Sequence, residues 1–312
     1  MKRFKQILLF VAIIIILFNV VALFHAYRFT HPVEERIYEY TGYKGLFQKI
    51  KITLFGIPPL KIKINQTPDA FNLNYFNISF TTVDNIRLHS WLIPANNSKS
   101  VILLVHGRNS NKAALLKYAE FLNKNNYATL LLDLRASGAS EGTFTSFGYY
   151  EKNDIEAAIN FLKNNNFENI GALGFSMGGA ALLFYSKENK DKIDAIAIDS
   201  VYNNIYDAVA RRFKIVYGFP KFPFATALTF YGGILLNFNA FELAPEKFVS
   251  EINVPILIIN KEENNIVTRE DAMRLYDNAN LPTEIFIVKN LTQLSDYEEK
   301  VLGFFDKYLI EK

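Results

Sequence analysis

The sequence predicts an α/β domain: a mostly parallel, eight-stranded sheet with helices on both faces, a helical cap inserted into it, and one transmembrane helix ahead of it. Three observations predict this. Short, nearly continuous apolar runs recur at 101–105, 128–132, 170–174, 193–199, 254–260 and 283–288. Amphipathic helical periods separate them, among them "KAALLKYAEFLNKN", "EKNDIEAAINFLKNN" and "GGAALLFYSKE". Strands that read as continuous apolar runs between such helices belong to a parallel sheet covered on both faces. The third observation is the start of the chain, where Ile7 to Phe24 is apolar except for Asn19.

That apolar run comes first in the chain. A hydrocarbon core takes roughly 20 apolar residues in a helix. A cleaved signal peptide has an apolar region of about 7–15 residues and a small-residue exit. The exit here, "LFHAYRF", lacks small residues at that spacing. Residues 1–29 are therefore expected to form an uncleaved signal anchor, with residues 7–27 meeting the membrane. Lys2, Arg3 and Lys5 favour a cytoplasmic N-terminus and an extracytoplasmic domain, while Arg28 and Arg36 on the other flank count against it. Residues 30–70 read as a linker or juxtamembrane segment, part of it a helix near the membrane.

The domain is expected over 71–312. It opens with "YFNISFTT", which alternates as a half-buried strand does, and "NIRLHSWLIP" follows after a short turn, giving a hairpin. About six parallel strands follow. Residues 201–247 break the rhythm: they are aromatic, with Pro220 and Pro223 between helical pieces. They are expected to form a cap over the carboxyl edge of the sheet, where ligands bind in such folds.

Composition narrows the chemistry. There is no cysteine, which removes disulfides, thiolate metal sites and cysteine nucleophiles. The chain has 34 basic and 31 acidic residues, and three of the basic ones are Lys2, Arg3 and Lys5. The rest is neutral, so charge gives no reason to expect a nucleic-acid partner. No phosphate-binding loop or metal-ligand cluster is visible, and no cofactor is implied. The Asn-x-Ser/Thr triplets at Asn65, Asn77, Asn96 and Asn290 are what chance gives in so Asn-rich a chain.

The stretch "GFSMGG", Gly174 to Gly179, follows the fifth expected strand, counting the hairpin, and opens a helix. A serine held on a sharp strand-to-helix turn needs small neighbours, and Gly174, Gly178 and Gly179 supply them. Ser176 then reads either as a nucleophile or as a helix N-cap. Other stretches occur in a matching order: "FTTVDNIRLHSWLIPA", "VHGRNSN", "LDLRASGASEG", "FGYYEKNDIEAAINFLK" and "INVPILIIN". Together they resemble the α/β-hydrolase fold superfamily, closest to membrane-anchored or secreted serine hydrolases of the prolyl-oligopeptidase-like and esterase type. The resemblance implies that Ser176 is the nucleophile and that the N–H groups of Met177 and Arg108 form the oxyanion hole. It also implies that His106 shapes that turn, and that Asp133 and Arg135 pin the loop after the fourth strand.

The same resemblance exposes two departures. The superfamily's triad runs Ser, then Asp or Glu, then His. All four histidines here, His25, His31, His89 and His106, precede Ser176. The loop expected to carry the base reads "VKNLTQLSDYEEK", with Thr292 or Gln293 at the position of the histidine. The acid position, in "KEENNIV", is Asn264, and Glu262 and Glu263 beside it read as a solvated loop. A serine hydroxyl without a base is a poor nucleophile. Replacement bases within the chain are His106 and Lys289, and Asp199 at the end of the sixth strand could orient one.

Three functions follow. The first is a membrane-tethered hydrolase-like protein, degenerate in its triad, that binds a small acyl-type ligand or a partner protein. The second is a working esterase, thioesterase or peptidase with an unusual base. The third is a membrane-associated scaffold, for which Ser176→Ala would change nothing.

Overall fold

The computed structural model describes residues 1–34, 46–96, 98–190, 192–280, 282–289 and 294–310. Eight strands form one sheet: β1 (Phe76–Thr81), β2 (Arg87–Ile93), β3 (Ser100–Val105), β4 (Ala128–Asp133), β5 (Asn169–Phe175), β6 (Ala195–Asp199), β7 (Ile256–Lys261) and β8 (Thr283–Val288). Their order is β8-β7-β6-β5-β3-β4-β2-β1. The hairpin β1–β2 and the pair β2–β4 are antiparallel, and the other pairs are parallel. The expected strands are therefore present, most with ends shifted by a residue or two.

The two faces of the sheet carry separate cores, because strand side chains alternate. Leu103, Val105, Leu130 and Leu132 pack on one face beneath α4 (Glu151–Asn164) and α5 (Met177–Glu188). Ile102, Leu104 and Leu131 pack on the other against α3 (Leu116–Lys124) and α8 (Leu294–Phe305). Every residue of β3 and β4 is buried, which explains their unbroken apolar runs.

From β3 the chain crosses to β4 on one side and then to β5 on the other. That reversal opens a crevice at the carboxyl ends of β3 and β5. The register sets Val105 beside Gly174, and Phe175 beside Asp199. The turns after β3, β5 and β6 thus emerge side by side.

The expected cap is two helices, α6 (Ile205–Tyr217) and α7 (Phe224–Leu236), followed by short 3₁₀ turns. α6 starts on Asn204, whose side chain accepts from the Tyr206 N–H, and ends on Gly218 in the left-handed region. The juxtamembrane segment holds α2 (Leu46–Phe55) and a two-residue parallel ladder, Val33–Glu34 with Leu60–Lys61.

Among the described residues, one helix is long and apolar enough to cross a membrane, α1 (Lys2–Thr30). Its most apolar window has no buried residue. Its last turns are different. Ala26 and Thr30 are buried, the Phe18 ring meets Phe224 of α7 at 5.7 Å, and Tyr231 of α7 donates a 2.6 Å hydrogen bond to Asn19 Oδ1. α1 is thus packed on the cap over its C-terminal half rather than joined to the domain by linker alone.

Candidate active site

The turn between β5 and α5 carries Ser176 at φ 50° and ψ −111°, a backbone conformation few non-glycine residues hold. Tight packing around it leaves room only for glycine at the flanking positions. A Cβ on Gly179 would lie 2.4 Å from Val201 Cγ2 and 2.8 Å from the Gly174 carbonyl oxygen. One on Gly178 would lie 2.6 Å from the His106 carbonyl oxygen. The Ser176 N–H donates to the Asp199 carbonyl at 2.8 Å, which ties the turn to the end of β6.

Ser176 occupies the cap position of α5, yet its side chain makes no capping bond. Its hydroxyl therefore does not serve as a capping group: the turn is held by backbone bonds and glycine packing, and Ser176 lines a cleft. That cleft has a volume of about 320 Å³. Arg108, Met177 and Asn264 line it together with Ser176, so the tertiary structure gathers these four expected site residues.

Their side chains are committed in instructive ways. Asn264, at the acid position, accepts the N–H groups of Ile266 and Val267 at 3.1 and 3.0 Å on its Oδ1. It holds its own turn. The Arg108 guanidinium donates to the Phe29 carbonyl at 2.7 Å and stacks over the Phe29 ring at 4.3 Å. Glu262 and Glu263 are exposed, and Glu262 lies 3.6 Å from Arg269. Thr292 and Gln293, at the base position, lie outside the described residues.

His106 is fully engaged. The Leu134 N–H donates to its Nε2 at 3.1 Å, so Nδ1 carries the proton and donates to the Gly107 carbonyl at 2.7 Å. Burial pushes its pKa below the ordinary value. A neutral ring with both nitrogens spent shapes the turn after β3 and has no lone pair for Ser176. Nearby, Asp133 accepts from the Lys112 and Ala139 N–H groups at 2.7 and 2.9 Å and pairs with the buried Lys112 ammonium. Arg135 donates to Asp154 of α4 and to Asp84 of the β1–β2 turn. These groups brace the loop after β4.

Asp199 is buried, and burial pushes its carboxyl above the usual range although Ser200 Oγ donates to it at 2.7 Å. Ser200 lines the cleft at φ 57°.

Sequence reasoning missed several cleft residues. Arg212, Tyr202 and Val209 come from the cap and the segment leading into it, Phe147 from the segment before α4, and Phe29 from the last turn of α1. A pair of arginines in an otherwise aromatic cap was the one available signal for Arg212. Nothing local marks Phe29, because only the packing of α1 on the cap brings it there.

The chain can now be set beside known proteins. The family described as serine aminopeptidase, S33, matches residues 96–217. The Bacillus subtilis (strain 168) protein YqkD is 27% identical over 201 residues, covering 64% of this chain and 66%, just under two thirds, of YqkD. The Escherichia coli (strain K12) protein YfhR is 24% identical over 277 residues, covering 83% of this chain and 88% of YfhR. Among solved structures, the Pyrococcus furiosus esterase Pf2001 superposes with a TM-score of 0.69 at 24% identity, covering 80% of this chain and 97% of the esterase. At that identity the likeness is one of fold. Strand order, the turn after the fifth strand and these matches together show the α/β-hydrolase fold.

Proposed function

We propose that this chain is a membrane-anchored, hydrolase-like protein that binds an acyl-type ligand at Ser176 without the proton-transfer machinery of an ordinary serine hydrolase. The observation that carries this reading is the placement of the four histidines. His106 is spent on Leu134 and Gly107. His25 and His31 sit on and just after the anchor helix, bonded to the carbonyls of Thr53 and Tyr27. His89 lies on β2 opposite Ser79, on the far side of β4 from the elbow. With Asn264 in place of an acid, neither partner of the serine remains.

The elbow itself supports retained binding. The Met177 and Arg108 N–H groups are assigned here to an acyl oxygen, as in the oxyanion holes of this fold. Loss of triad members costs roughly 10⁴ to 10⁶ in turnover, yet about 10³ to 10⁴ over water persists from binding and the oxyanion hole. Feeble esterase activity is therefore compatible with this reading.

The test is fluorophosphonate labelling of the full chain in detergent micelles, beside Ser176→Ala. The expected result is no labelling above the Ser176→Ala background with the protein folded. Rapid labelling confined to Ser176 would establish an operating base and replace this reading with the active hydrolase. The proposal includes a cytoplasmic N-terminus, argued from Lys2, Arg3 and Lys5. Inside-out vesicles should then shield the domain from added protease; digestion there would reverse the orientation.

A further inference from the structure

Two features of the cleft point to what it binds. The first is its polar end. Arg108 and Arg212 both line it, and none of its lining residues is acidic. The Nε of Arg212 is buried and has no hydrogen-bond partner among the described residues. A buried guanidinium N–H without an acceptor is costly. An anionic ligand group beside Ser176 would satisfy it.

The second feature is the apolar end. The cleft shares Phe29, Val209 and Arg212 with a small cavity beneath α6. That cavity shares His25, Phe213, Tyr217 and Leu228 with another of about 80 Å³. The latter opens along Phe18, Val21 and Ala22 of α1. Three neighbouring voids that share walls thus lie in a row, a seam from the Ser176 cleft to the flank of α1. Its middle is about 10 Å³, room for about one water, so a chain passing there has to push side chains apart.

With α1 across a bilayer, the outer end of the seam lies at hydrocarbon depth. Asn19 is five residues inside the apolar run that ends at Phe24, or about 8 Å along a helix. Tyr231 of α7 bonds Asn19 there. α7 is itself apolar, and Phe230 and Ile234 are exposed on it. At the same end of the molecule, Phe47, Ile50, Leu54 and Phe55 of α2 are exposed, with α2 held to α1 by Arg28 Nε on the Phe55 carbonyl. Exposed apolar surface continuous with a membrane-spanning helix is surface that meets lipid.

We propose that the cleft is loaded sideways from the bilayer and takes a single-chain lipid with an anionic head. The head sits between Arg212 and Arg108 at Ser176, and the chain lies in the seam between α1 and the cap helices. This rests on the reading of Ser176 as a ligand-binding site and names the ligand class.

The experiment is equilibrium binding of radiolabelled oleate to the full chain in lipid nanodiscs. Oleate should bind saturably. Arg212→Gln should weaken it at least tenfold, and Arg212→Lys should recover part of that loss. Val21→Trp, at the exposed mouth of the seam, should weaken it similarly with the melting temperature unchanged. Octanoate, presented from solution, should compete poorly. Equal competition by oleyl alcohol would overturn the anionic head. Octanoate binding as tightly as oleate, or an unaffected Val21→Trp, would overturn the seam. Fluorophosphonate labelling of the same preparation separates the two claims: labelling with oleate binding intact defeats the non-catalytic reading alone.

Discussion

At the scale of single residues, the elbow is a strained backbone position that the fold enforces. Ser176 sits at positive φ, and a non-glycine residue there costs on the order of 1–3 kcal/mol. Ser176→Gly should therefore melt higher than Ser176→Ala, read by thermal unfolding in one detergent. Gly179→Ala is expected to destabilise by at least 1–3 kcal/mol, since its methyl would strike Val201 and the Gly174 carbonyl. His106 gives a pH signature. Its folded pKa lies below 6.5 because burial disfavours the charged ring, so the unfolded chain binds the proton more readily. The contribution of His106 is thus complete above about 6.5 and is lost as pH falls below it. Melting curves between pH 5 and 8 should show this slope, and His106→Gln should reduce it while lowering stability overall.

At the scale of elements, one guanidinium joins three of them. Arg135, fully buried, links the loop after β4 to α4 through Asp154 and to the β1–β2 turn through Asp84. Burial alone would raise the Asp84 carboxyl, but Arg135 outweighs it and holds the group at about 2. Removing the arginine strands a buried carboxylate, and losing one partner of a buried pair costs about 3–5 kcal/mol. Arg135→Met should show that loss in chemical denaturation, and Arg135→Lys should restore little because a point charge cannot reach both acids. The loop motif was legible in the sequence, since Asp133 and Arg135 were expected to brace it. The partner Asp84 was not, because it lies some fifty residues earlier and only the sheet order brings it near.

At the scale of the whole molecule, α1 is part of the domain's architecture. Thr145 donates its N–H to the Thr30 carbonyl, Phe29 walls the cleft, and α7 lies along the helix. A chain beginning after Thr30 would expose the apolar faces of α6 and α7 and lose one wall of the cleft. Such a truncation is expected to self-associate and to melt lower than the full chain, measured by size exclusion and thermal unfolding. A monodisperse truncation with unchanged melting would reduce α1 to a tether. The sequence marked this helix as an anchor through its length and apolarity. It could not mark the packing stripe through Phe18, Ala22, Ala26 and Thr30, because an all-apolar helix presents no contrasting face.

The strand and helix pattern, the glycine-flanked serine and the absence of any histidine after it are properties of the sequence alone. They follow from local periodicity, turn sterics and residue inventory, which need no distant contact. The tertiary structure decided what long-range packing decides. It spent both nitrogens of His106 on the backbone and turned Asn264 inward to its own loop. It also brought Arg212, Phe29 and Ser176 to one cleft from a cap helix, the N-terminal helix and a strand end. Residues this far apart in the chain have no spacing to be read, and only the crossing of β5 beside β3 and the seating of α1 on the cap assemble them.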